Sequence, residues 1–260
     1  STWVGALAAS DGDNRLTFAG DLTCEASGLG GEDTFITVLA PITGSLSGGT
    51  EDDTFNINVD IAGTVSGGFG EDRFLVSDNA LVANLDGNEN ADTLTGGNGA
   101  GFWFVDALNG GWLDELINNN ATPSNSPAST ISFSNVENIQ GGNGADSVRV
   151  FGAGDLSNIR GGDSGDTLSI ETGGISTWTI SATDVGDVEF AGAANTLNFF
   201  DFQILSGSAS ADTFTFNADL TGTVNGLGGG DFFNIDFAIT GDINGGGAGD
   251  EFNINVATLL

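Results

Sequence analysis

The chain contains no His, Tyr, Met or Lys, a single Cys (Cys24), three Pro and only four basic residues, Arg15, Arg73, Arg149 and Arg160. Each shortage excludes something. Without His there is no Ser/His/Asp or Cys/His device and no imidazole metal site. One Cys permits no internal disulfide, so cysteine usage does not settle the compartment. Four Arg against 36 acidic residues leave a net charge of −32, which repels nucleic acid and anionic membrane. No apolar run approaches the roughly 20 residues of a membrane helix, so neither nucleic acid nor membrane insertion is expected. What such a chain suits is a hard cation bound through oxygen, and carboxylates with backbone carbonyls are what calcium prefers.

What is plentiful is glycine, 43 in 260 residues, together with 19 Phe and 4 Trp at 39% hydrophobic content. Disordered acidic chains are poor in aromatics, so a buried core is expected. The chain starts at Ser1, which reads as a processed product or a piece of something larger.

The glycines fall into a repeat. GGTEDDTFNI (48–57), GGFGEDRFLV (67–76), GGNGADSVRV (141–150), GGDSGDTLSI (161–170) and GGGAGDEFNI (245–254) align without gaps on one Asp, and weaker copies lie at 29–37, 87–95, 207–216 and 226–235. The anchors are Asn14, in place of Asp, then Asp33, Asp53, Asp72, Asp92, Asp146, Asp166, Asp212, Asp231 and Asp250. Their separations are 19, 20, 19, 20, 54, 20, 46, 19 and 19. Apolar columns keep the same register two and four residues after the anchor and seven before it. Nine before it runs a column of small residues that includes Cys24 and Gly44, so Cys24 reads as a small inward side chain.

Alternation with period two on both sides of a glycine turn means two short strands per unit. A unit that small cannot bury its apolar face alone, so units must stack. The expected fold is all-β, a parallel β-solenoid of 19–20-residue coils with two longer lateral insertions. Coils occupy 1–101, 137–171 and 203–260, with insertions at 102–136 and 172–202, all in one continuous domain. Residues 131–150 align with 197–216, each after a Trp-bearing segment, which suggests a higher-order repeat of about 66 residues. Trp103, Trp112 and Trp178 are expected to seal the solenoid's side. A helix-compatible piece lies near Leu113–Ile117, and a lone glycosylation sequon, Asn120-Ala121-Thr122, in a loop with Pro123 and Pro127 carries no weight.

The turn reads G-G-x-G-x-D. Its glycines let carbonyls converge and its Asp closes the space, an oxygen-only shell of the kind calcium accepts. The metal candidates are therefore Asp33, Asp53, Asp72, Asp92, Asp146, Asp166, Asp212, Asp231 and Asp250, with Gly48, Gly67, Gly141, Gly161 and Gly245. In this motif the sequence resembles the RTX, or haemolysin-type, calcium-binding repeat family, best at 141–146 and 67–72. One departure is spacing. Family members carry the motif every nine residues, whereas here it returns once per nineteen or twenty, so the resemblance implies at most one row of calcium along one edge. At 87–103 two motifs stand nine residues apart, the second with Gly101 where Asp belongs.

Stacked anchors repel one another about 4.8 Å apart, and with so little Arg a cation is expected to relieve them. Acids beside the early anchors (Asp13, Glu32, Glu51, Asp52, Glu71) point to tighter calcium in the N-terminal half. The resemblance implies a secreted, cell-surface structural or adhesive protein. Strand pattern running to both ends points to chains that stack head to tail or to a segment of a longer solenoid. A polysaccharide-acting enzyme would need a base that four scattered Arg do not supply. An ice-binding array would need a regular outward Thr column, and the column three after the anchor is irregular.

Overall fold

The structure is a computed structural model that describes residues 5–78, 80–106, 110–114, 130–152, 156–171, 173–190 and 196–256. The chain winds into a β-solenoid of about 11 turns with about 20 residues per turn. The first five coils each set one strand in a first sheet and one in a second. They are β1 (Leu7–Ala8) and β2 (Arg15–Phe18), β3 (Ala26–Gly30) and β4 (Thr34–Thr37), β5 (Leu46–Thr50) and β6 (Thr54–Ile57), β7 (Ile61–Phe69) and β8 (Arg73–Val76), and β9 (Val82–Glu89) and β10 (Thr93–Thr95). The middle of the chain supplies β11 (Phe102–Val105), β12 (Gly111–Asp114), β13 (Ile131–Ser134), β14 (Asn138–Gln140), β15 (Ser147–Val150), β16 (Asn158–Arg160) and β17 (Thr167–Ile170). Then follow β18 (Ser176–Ala182), β19 (Val185–Phe190), β20 (Leu197–Phe200), β21 (Ile204–Ser206), β22 (Thr213–Phe216), β23 (Thr223–Asn225), β24 (Phe232–Ile235), β25 (Asp242–Asn244) and β26 (Glu251–Ile254).

Both sheets have 13 strands, and every neighbouring pair is parallel except those made by β12 and β19. Register follows the repeat. Leu46 pairs with Val65, and Phe55 with Phe74, so like positions stack coil on coil. The two sheets face each other over one core. Phe35, Phe55 and Phe74 stack at centroid spacings of 4.7 and 5.0 Å, and Trp178, Phe214, Phe233 and Phe252 continue at 5.5, 5.1 and 4.8 Å. Those distances match the separation of hydrogen-bonded strands, so within these two runs of coils one aromatic per coil stacks in step with the backbone.

The sequence places both insertions at the side of the solenoid. Their described parts are spliced into the sheets. In the first sheet β12 runs antiparallel between β11 and β13; in the second β19 does the same between β18 and β20. Trp103 on β11 and Trp178 on β18 are accordingly core residues, 1% and 0% exposed, whereas Trp112 is exposed. Leu113 and Asp114 belong to strand β12 rather than to a helix. Residues 115–117, the sequon at 120–122 and the proline loop lie outside the described residues.

Each insertion advances the repeat by half a coil. Before β11, a glycine–aspartate turn leads from the first sheet to the second; at Asp146 and Asp166 it leads from the second to the first; from Asp212 onward the original sense returns. Because the main strands of each sheet run parallel, the two senses of turn lie on opposite edges. The 66-residue correspondence holds strand for strand, β11–β15 matching β18–β22 with the sheets exchanged.

Candidate functional site: the aspartate columns

Two residues of the turn must adopt a left-handed backbone. In seven turns the positions four and two before the anchor both have positive φ, and not all are Gly: Leu227 (73°), Glu51 (71°), Ser164 (87°) and Ala248 (69°) also sit there. That geometry explains the second and third glycines of the motif. The first glycine has a different cause. A Cβ on Gly48 would overlap Asp53 Oδ2 and stand 2.6 Å from the Gly67 carbonyl oxygen. On Gly67 it would meet Asp72 Oδ2 and the Gly87 carbonyl. Gly141, Gly161 and Gly245 back onto Asp146, Asp166 and Asp250 in the same way. This glycine is the floor on which the anchor carboxylate rests.

The anchor side chains point inward. Asp33, Asp53, Asp72, Asp92, Asp146, Asp166, Asp212 and Asp231 are all buried, and Asp250 is half-buried. In each rung Oδ1 accepts the backbone N–H of the anchor one coil earlier. Asp33 donates to Asp53, Asp53 to Asp72, Asp146 to Asp166, Asp212 to Asp231 and Asp231 to Asp250, at 2.7–3.0 Å.

Followed through, these bonds form three columns rather than one. The first runs Asn14, Asp33, Asp53, Asp72, Asp92 and ends on Glu137 Oε2, 2.9 Å from the Asp92 amide. A second runs Gly101, Asp146, Asp166 and ends on Gln203 Oε1 at 2.9 Å. A third starts at Ser176 and runs through Asp212 and Asp231 to Asp250. The first and third lie on one edge and the second on the other, which corrects the expectation of a row along a single edge. Glu137, Gln203 and Ser176 were missed by sequence reasoning. The signals were there: a second motif nine residues after Asp92, and separations of 54 and 46 that are not multiples of the period.

In six of the rungs one oxygen is satisfied and the other is not, whereas Asp146 Oδ2 accepts the Gly142 N–H at 3.0 Å and Asp212 Oδ2 accepts the Ser208 N–H at 2.6 Å. Oδ2 of Asp33, Asp53, Asp72, Asp92, Asp166 and Asp231 is buried without a partner. Burial pushes the Asp53 and Asp92 carboxyls up to about 7, and Asp72 and Asp146 up to about 6; Asp166 and Asp231 move the same way for the same reason. The amide bond to Oδ1 opposes this shift, and the neighbouring carboxylates add to it.

Acids beside the anchors face solvent and stitch neighbouring coils. Gly31 N–H donates to Glu51 Oε2 at 2.8 Å, Glu71 N–H to Asp52 Oδ1 at 2.8 Å and Glu32 N–H to Asp13 Oδ1 at 3.0 Å. Part of the acid excess thus has a structural use that needs no cation. Cys24 is half-buried against the core, and a Cβ on Gly44, one coil on, would overlap its carbonyl, which accounts for the column of small residues.

For calcium the donor chemistry fits: the six free anchor oxygens are carboxylate Oδ2 atoms, each beside a backbone carbonyl one coil on, those of Gly48, Gly67, Gly87, Asn135, Asp201 and Gly245. Among the described residues no three Asp, Glu, His or Cys side chains surround one point, so carbonyls would supply most of any shell. No family model matches the chain, and no curated protein sequence matches it.

Proposed function

We propose that the chain is a calcium-binding structural solenoid, a rod that works outside the cell as a structural or adhesive element and joins end to end with further copies. The observation that carries the reading is the set of buried, partnerless Oδ2 atoms on six of the anchors, each beside a backbone carbonyl of the next coil. A carboxylate oxygen held from water without a donor is unstable as an anion. A divalent cation shared between that oxygen and neighbouring carbonyls would remove the penalty. Asp53, Asp72 and Asp92 with Gly48 and Gly67 would hold ions in the first column, Asp146 and Asp166 with Gly141 and Gly161 in the second, and Asp212, Asp231 and Asp250 with Gly245 in the third. One carboxylate per coil with neutral carbonyls makes weak sites, filled at the millimolar calcium of extracellular fluid rather than in cytosol.

Thermal melting with calcium, magnesium and chelator tests this. About 1 mM calcium is expected to raise the melting temperature over chelator, each site with a Kd of about 0.1–1 mM adding about 0.4–1.4 kcal/mol. Magnesium, which demands octahedral geometry, should do much less. Melting curves that coincide in calcium and chelator would remove the reading.

A further inference from the structure

The two ends of the solenoid are complementary, and we propose that the coil carrying Asp250 receives the coil carrying Asn14 of a second copy, strands parallel and in the register used throughout the chain. This deepens the end-to-end rod above and rests on it.

The first two aspartate columns close on Glu137 and Gln203. The third does not close: no described residue accepts the Asp250 N–H. At the other end Asn14 opens the first column, and its Oδ1 holds only a long bond from Ser10 Oγ at 3.3 Å, leaving a lone pair for an amide. Both turns lead from the first sheet to the second, so the glycine–aspartate edge would continue unbroken across the joint.

The strands agree. All four residues of β26 are exposed, Phe252 by 46% and Ile254 by 67%, although Phe233 and Ile235 in the same columns one coil earlier are buried. At the opposite end Leu7, Asn14, Leu16, Phe18 and Leu22 line an open depression of about 630 Å³. Extending the β24–β26 register by one coil sets Leu16 of the second copy beside Phe252, Phe18 beside Ile254 and Arg15 beside Glu251. That last pair supplies opposite charges at neighbouring positions. Arg149 and Arg160 are already paired, with Glu171 at 2.8 Å and Asp201 at 2.7 Å, whereas Arg15 has no ion-pair partner among the described residues.

The test uses Thr17 and Asn253, which this register makes neighbours, at a separation a disulfide spans. In a Cys24→Ser background, Thr17→Cys and Asn253→Cys proteins are mixed under mild oxidation at about 0.15 M salt, where repulsion between the acidic copies is screened beyond about 8 Å. The mixture is expected to yield a disulfide dimer that neither protein yields alone. Cross-linking of Asn253→Cys with itself, or none in the mixture, would overturn the proposal. In sedimentation, Arg15→Glu should weaken association tenfold or more and Arg15→Glu with Glu251→Arg should restore it; a swap that fails to restore overturns the register. Unchanged melting of each variant under monomeric conditions confirms that it folds. Association that persists when melting curves coincide in calcium and chelator keeps the joint while removing calcium from the reading. A chain that melts in a calcium-dependent way yet stays monomeric at high concentration keeps calcium and removes the joint.

Discussion

Asp53 meets two demands with one side chain: Oδ1 must accept the Asp33 amide, and Oδ2 must lie against Gly48 without a donor. The demands separate by substitution. Asp53→Ala leaves the Asp33 N–H buried and unpaired and is expected to cost about 1–3 kcal/mol. Asp53→Asn keeps the Oδ1 acceptor, removes the buried charge and places an N–H near the Gly67 carbonyl. In chelator at pH 8 it should melt at or above the parent temperature while losing part of the calcium response. Asn14, which already occupies the first rung, is the chain's own precedent. Backbone strain gives an independent check. Leu227 is held at φ 73° and is 52% exposed, so Leu227→Gly should remove left-handed strain of about 1–2 kcal/mol. A raised chemical-denaturation midpoint is the expected result. The columns of apolar residues and the inward face of Cys24 were legible at this scale because side-chain alternation is local. The role of the first glycine was not, since it depends on a carboxylate five residues on that folds back over it.

Strand existence and stacking were readable from period alone, but sheet membership was not. Asp146 and Asp166 share a motif with Asp53 and Asp72 yet turn at the other edge, because β11–β13 and β18–β20 each reverse twice and return half a coil out of step. A linear motif records the local turn, not the edge on which it falls. The trace left in the sequence was arithmetic: gaps of 54 and 46 where multiples of 19 or 20 belonged. Column ends were equally hidden, since Glu137 and Gln203 carry no glycine signature and qualify only by their place in the stack. Gln203→Ala tests the terminator. The buried Asp166 amide loses its acceptor, so a loss of about 1–3 kcal/mol is expected, with hydrogen-exchange protection falling selectively at Asp166. Gln203→Glu keeps an acceptor but adds a charge near Asp166 and Asp201, so its protection should survive with a smaller loss of stability.

For the whole molecule, a charge of −32 with two of four Arg already paired leaves the carboxylates to be managed by hydrogen bonds, protons or metal. Protons and metal compete for the same Oδ2 atoms, which gives stability a definite dependence on pH. Asp53 and Asp92 rise to about 7, and Asp72 and Asp146 to about 6, from 3.8 when free, so the folded chain binds more protons than the unfolded one between those limits. Stability from these groups is therefore fully present below about pH 4 and is lost as pH rises through 6 and 7. In chelator the melting temperature should fall steadily from pH 5 to pH 8, opposite to a protein whose carboxylates sit in ion pairs. Calcium should flatten that fall, acting most at pH 8, where the carboxylates are ionised, and least at pH 5, where a proton already occupies Oδ2. A chelator profile that rises toward pH 8 would mean that the anchors are stable as anions without metal, and the hydrogen-bonded columns alone would then account for the acid content of the core.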